Sequence, residues 1–211
     1  MWSPADIADA AASALQRMEE ALRSEDATEG LDDLSERTLQ AGMAQAFAEA
    51  GWTVAREVRY PSRRPASRTE GARCDIVLTQ GAPLAPDAPP SLFDPERPTP
   101  AEGACWIEVK AAAANDVEGP VSRYARVLAH GSVQDAATLA SEPSVHHGML
   151  LLVLFGADEA ALHRDLRRWS DDALAAGLPA DTPRVRCFAI RERRGNAAAA
   201  VACISVTRAA R

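Results

Sequence analysis

The sequence predicts an α/β fold, a mixed central β-sheet flanked by helices, and three observations carry that reading. Segments with apolar residues at helical spacing alternate with short strand-like runs, in the order α-α-β-β-β-α-β-α-β-β. One run, HGMLLLVLFG at 147–156, is apolar without a break, as a strand covered on both faces must be. A helical segment joins it to the run before it, the crossover that two parallel strands require.

Residues 3–24 read as the first helix. Ser3 can cap it, Pro4 suits its first turn, and Ile7, Ala11, Leu15, Met18 and Leu22 recur along one face. The polar stretch SEDATEG breaks the chain before a second helix over 31–50, striped by Leu34, Leu39, Met43 and Phe47 and ended by Gly51. Residues 52–60 alternate as a strand, with Trp52, Val54, Val58 and Tyr60 mostly on one side. A Pro- and Ser-rich loop leads to a second strand over 72–79. There Cys74, Ile76 and Leu78 face one way, and Arg73, Asp75 and Val77 the other. Residues 81–103 are proline-rich and read as an insertion between adjacent strands, a candidate docking loop for a protein partner. The third strand covers 104–110, and helices are expected over 121–141 and 158–176. Residues 184–193 and 200–208 close the chain as a β-hairpin around Arg194, Gly195 and Asn196. The organisation is therefore an N-terminal helical extension at 1–30 followed by one domain at 31–211.

Composition narrows the function. At 211 residues, 47% hydrophobic and 25% charged, the chain can bury a core of its own. No apolar run approaches the roughly 18 residues of a membrane span, and no signal-peptide pattern opens the chain, so a cytoplasmic location is expected. The four cysteines form no CxxC pair and read as reduced packing residues. His146 and His147 lack ligand partners at metal spacing and read as loop polarity. Neither a Gly-rich phosphate loop nor a nucleophile elbow is present, which argues against an NTPase or a covalent hydrolase. The net charge of −7 argues against tight non-specific nucleic-acid binding. The charge is uneven, however. An arginine-rich hairpin carries Arg63, Arg64 and Arg73, a candidate substrate-binding edge for phosphate, and Arg164, Arg167 and Arg168 cluster later.

The chemistry centres on WIEVK, whose Lys110 is the only lysine in the chain. A lysine offers a compact ammonium with a labile proton, which the arginine fork cannot replace. Trp106, Glu108 and Lys110 share one strand face, opposite Ile107 and Val109. If the second and third strands pair, Asp75 and Glu108 can converge. Two carboxylates with a carbonyl and water make an oxygen-only site for Mg²⁺. Such an ion supplies an acidified water and a charge for a phosphate oxygen. Lys110 would orient that water and offset charge building on phosphorus. In the competing reading, the two acids are exposed positions near a sheet edge and Lys110 simply pairs with Glu108.

An acidic helix residue, a strand, CDIVL, then IEVK, a helix and an apolar strand together resemble the PD-(D/E)XK nuclease superfamily over about residues 31–156. The resemblance implies a restriction-endonuclease-like core and a phosphodiesterase that hydrolyses nucleic acid, expected to be DNA, with Mg²⁺ or Mn²⁺. It implies Asp75 and Glu108 as metal ligands, Lys110 as the catalytic lysine and Glu36 as a further metal-side glutamate. Gln134 matches a polar residue that some members place near the site. Glu57 is the alternative to Glu36. Cys74 stands where many members have proline, and the proline-rich insertion lengthens the path between the two acids. The alternative function is a catalytically inactive interaction protein on the same fold, in a defence or toxin–immunity assembly. The amphipathic helix over 3–24 could pair two copies as a homodimer or fold back on its own sheet.

Overall fold

The structure, a computed structural model, describes residues 2–25, 27–61, 72–85 and 98–208. The first helix, α1 (Pro4–Ser24), begins where Ser3 Oγ accepts the Asp6 N–H. A short 3-10 turn at Leu31–Asp33 precedes α2 (Glu36–Glu49). The expected helix over 31–50 is therefore interrupted. Leu34 is extended, and Ser35 caps α2 by accepting the Thr38 N–H, so Glu36 becomes the first helical residue.

Next come β1 (Thr53–Arg59), β2 (Arg73–Thr79) and β3 (Cys105–Ala113), followed by a small ribbon of β4 (Asn115–Asp116) and β5 (Gly119–Pro120). The segment read as one helix over 121–141 is α3 (Ser122–Arg126), a π-helical stretch at Val127–Gly131, and α4 (Ser132–Ser141). The chain continues through β6 (His147–Gly156), α5 (Glu159–Ala175), β7 (Arg184–Ala189) and β8 (Ala198–Val206).

The main sheet has six strands in the order β1-β2-β3-β6-β8-β7. β3 and β6 run parallel and the other neighbours antiparallel, so the sheet is mixed. Period-2 geometry divides its side chains between two cores. Ile107, Val109, Met149, Leu151 and Val153 pack with α1 and α2, while Trp106, Leu150, Leu152 and Leu154 pack with α4 and α5. α1 is thus part of the main packing. Ile7, Ala11 and Leu15 of α1 are fully buried in the first core. The apolar face that suggested a homodimer is covered by the chain's own elements.

The base of the proline-rich insertion is anchored. Leu84 bridges Thr99, and the indoles of Trp106 and Trp2 donate to the carbonyls of Ala101 and Gly103. Its central part, 86–97, lies outside the described residues, as does the protein-docking role read for it. Cys74, Cys105 and Cys203 are buried and Cys187 is half-buried; all four are free thiols. Among the described residues no helix is long and apolar enough to cross a membrane.

Candidate functional site

The site forms where β2 and β3 part. Their ladder runs from Leu78–Cys105 to Ile76–Ile107, and one further step in the same register sets Asp75 opposite Glu108. There the backbone ladder gives way to a side chain, because Asp75 Oδ2 accepts the Val109 N–H at 2.8 Å. Two residues on, Glu36 Oε2 accepts the Ala111 N–H at 2.9 Å. The outer amides of β3 therefore hold carboxylates from two different elements. The α2 cap explains the second, since it starts the helix at Glu36 beside the strand.

Glu108 is buried, and its Oε1 accepts the Tyr60 hydroxyl at 2.5 Å. Tyr60 is itself stacked on Trp106, with ring centroids 5.6 Å apart. Asp75, Glu36 and Glu108 are thus each anchored through one oxygen. Lys110 Nζ lies 3.0 Å from Asp135 Oδ2 and 3.7 Å from Glu36 Oε1. Asp135 Oδ2 is shut off from solvent and makes this ion pair without a well-angled hydrogen bond.

Burial pushes the Glu108 carboxyl up to about 8; the Tyr60 hydroxyl opposes the shift, and the neighbouring Asp75 and Asp135 add to it. Asp75 is close enough to share a hydrogen bond with Glu108 when one of them is protonated. Burial also raises Asp135, outweighing the pull of Lys110. For Lys110 burial favours the neutral amine, but Asp135, Glu36 and Asp75 outweigh it and raise the pKa. Asp135, Glu36 and Asp75 thus surround one ammonium, Glu108 lies beside Asp75, and all four acids offer oxygen. That set fits a hard divalent cation such as Mg²⁺ or Mn²⁺, with Asp75 and Glu108 as the residues that would hold it and Glu36 at its edge.

Asp75, Glu108, Lys110 and Glu36 are brought together at this end of β3. Gln134 is not part of the cluster: it is exposed, and its neighbour Asp135 pairs with Lys110 instead. The π-helical stretch ahead of α4 sets the helix phase and decides which of the two faces the strand. Asp135 lies inside the segment read as one helix over 121–141, and nothing in the sequence singled it out. Glu57 is exposed in left-handed backbone, φ 54°, so Glu36 and not Glu57 meets Lys110. Arg73 is exposed and donates to the Glu57 carbonyl at 2.7 Å, a local tie between β1 and β2. Arg63 and Arg64 lie outside the described residues.

A cavity of about 420 Å³ adjoins the cluster, with Ser35, Glu36, Ala111, Asn115, Arg123 and Tyr124 among its walls. Set against models of known families, curated proteins and solved structures, the chain matches none.

Proposed function

We propose that this protein hydrolyses phosphodiester bonds in nucleic acid, DNA first among the substrates, with Mg²⁺ or Mn²⁺ held by Asp75 and Glu108. The observation that carries the reading is the convergence of these two acids across adjacent strands, with Lys110 and Glu36 beside them. The cation would supply Lewis acidity for water and phosphate oxygen. The chain's own residues supply position and charge. The Val109 and Ala111 amides hold Asp75 and Glu36, and Tyr60 holds Glu108. Lys110, kept charged by its acidic neighbours, offers an ammonium to the charge that grows on phosphorus. The adjoining cavity has room for a nucleotide flanking the reacting bond, and Arg123 on its wall provides a cation for phosphate.

The test is cleavage of plasmid and single-stranded oligonucleotides by purified protein in Mg²⁺, Mn²⁺ or chelator. Cleavage that needs the cation and falls about 10²–10³-fold in Asp75→Asn, Glu108→Gln and Lys110→Met is expected. Equal rates for the parent and all three variants would sink the reading. The net charge of −7 and the two-carboxylate grip on Lys110 favour a second reading, an interaction protein without catalysis. It is distinguished by cation binding at the same residues with every substrate left intact.

A further inference from the structure

On the opposite side of the sheet order from the acidic cluster, a second group of side chains has a different donor chemistry. Glu159 and His163 stand four residues apart on the first turns of α5, hence on one helix face. Cys187 approaches them from β7, the edge strand of the sheet. His163 Nε2 is 3.4 Å from Glu159 Oε1 and 3.9 Å from Cys187 Sγ, and the three donor atoms all lie within 4.8 Å of one another.

We infer that Glu159, His163 and Cys187 form a second metal site, suited to Zn²⁺ and separate from the acidic cluster. Donors placed about 2.0–2.3 Å from a tetrahedral ion lie roughly 3.3–3.8 Å apart. The two separations at His163 meet that spacing with a closure of a few tenths of an ångström, and the Glu159–Cys187 separation, within 4.8 Å, closes by up to about 1 Å through rotation of the exposed Glu159 side chain. Thiolate, imidazole and carboxylate together select a borderline-soft ion over Mg²⁺. An i, i+4 ion pair on a helix surface would explain Glu159 and His163, but it does not require a thiol from another element. The scaffold is rigid enough to define the site, because Leu162, Leu166 and Trp169 of α5 are buried in the core.

Three protein ligands leave a fourth position. Glu159 is largely exposed, at 66%, so that position opens to solvent and to an exchangeable ligand. His163 also lines a cavity of about 660 Å³, which lies along α5 and the segment leading into β7. The ion would tie that edge strand to its covering helix. Cys187 differs here from Cys105 and Cys203, which are closed in among apolar groups, and from Cys74, which is buried against Tyr60 and Glu108.

The experiment uses untagged full-length protein, with Zn²⁺ affinity read by competition against a chromophoric chelator and Co²⁺ binding read by absorption. We expect one Zn²⁺ per chain, retained when Asp75→Asn and Glu108→Gln are combined, and weakened at least about tenfold by His163→Ala or Cys187→Ser. We also expect a sulfur-to-cobalt charge-transfer band that Cys187→Ser abolishes. Zn²⁺ affinity undiminished in both single variants, or no sulfur band with the parent protein, overturns the assignment. Should Cys187→Ser fail to fold by circular dichroism, the cobalt band decides in the combined Asp75→Asn, Glu108→Gln protein, which removes the carboxylates beside Cys74: the band must persist there and be lost on adding His163→Ala. The outcome does not depend on nuclease activity, so it can fail or hold independently of the proposed function.

Discussion

At the scale of single residues, Lys110 and Glu108 differ in what they hold, a fixed charge and a proton that can leave. From sequence alone, the lone lysine reads as kept for a compact ammonium with a labile proton. The raised pKa argues for a lasting ammonium instead, since Asp135, Glu36 and Asp75 surround it. Lys110→Arg should therefore preserve folding yet lower Mg²⁺-dependent cleavage by about 10²-fold, because the guanidinium cannot fill the same compact position. Parallel circular dichroism and rate measurements test this. Glu108 makes a pH prediction. Its folded-state pKa of about 8 lies above the ordinary 4.5, so its contribution to stability is complete below 4.5 and is lost as pH rises through 8. In chelator, Tm should fall across that window. Saturating Mg²⁺ should reduce the fall, because the ion binds the deprotonated form and stabilises the folded state that holds it. A Tm that rises with pH in chelator would contradict the assigned environment. Asp75 and Glu108 were legible because each sits in a short apolar strand. Asp135 was not, because its approach to Lys110 depends on the phase of a helix far along the chain.

At the scale of elements, the site is held by turns. Asn196, fully buried in the β7–β8 connection, donates to Asp32 Oδ2 at 2.7 Å and to the Asn115 carbonyl at 2.9 Å, and accepts the Asn115 N–H at 3.2 Å. Arg194 adds an ion pair to Asp33. The hairpin thus clamps the 3-10 turn that leads into Ser35 and Glu36. Asn196→Ala should cost about 1–3 kcal/mol in denaturant unfolding, because buried partners lose their hydrogen bonds. Ser35→Ala should cost about 1 kcal/mol by removing the α2 cap, and should weaken cleavage by loosening Glu36. The sequence placed the hairpin but carried its first strand four residues too far, since β7 ends at Ala189 and β8 begins at Ala198, and its reading of helix over 31–50 ran through the cap. An apolar stripe marks where a helix can be. The cap and the extended Leu34 mark where it starts.

At the scale of the whole molecule, the mixed sheet divides two cores, and α1 belongs to the first of them. Ile7 and Leu15 are wholly buried there with Leu39 and Phe47 of α2 and Val201 of β8. Leu15→Ala should destabilise the fold by about 2–5 kcal/mol, measured by denaturant unfolding, and deletion of residues 1–24 should leave no cooperative transition. A truncated chain that folds and melts cooperatively would restore the view of 1–30 as a separable extension. By itself the sequence determined the alternation of helix and strand, the central β6, the parallel crossover from β3 to β6, and the apolar strand that carries the acid and the lysine. Those features repeat at short, regular intervals, so local periodicity encodes them. Only the tertiary structure decided that β2 and β3 pair in the register that brings Asp75 to Glu108, that Asp135 rather than Gln134 meets Lys110, and that a cysteine on β7 reaches a histidine on α5. Such meetings depend on strand register, helix phase and packing between distant segments, which are set by the whole core at once.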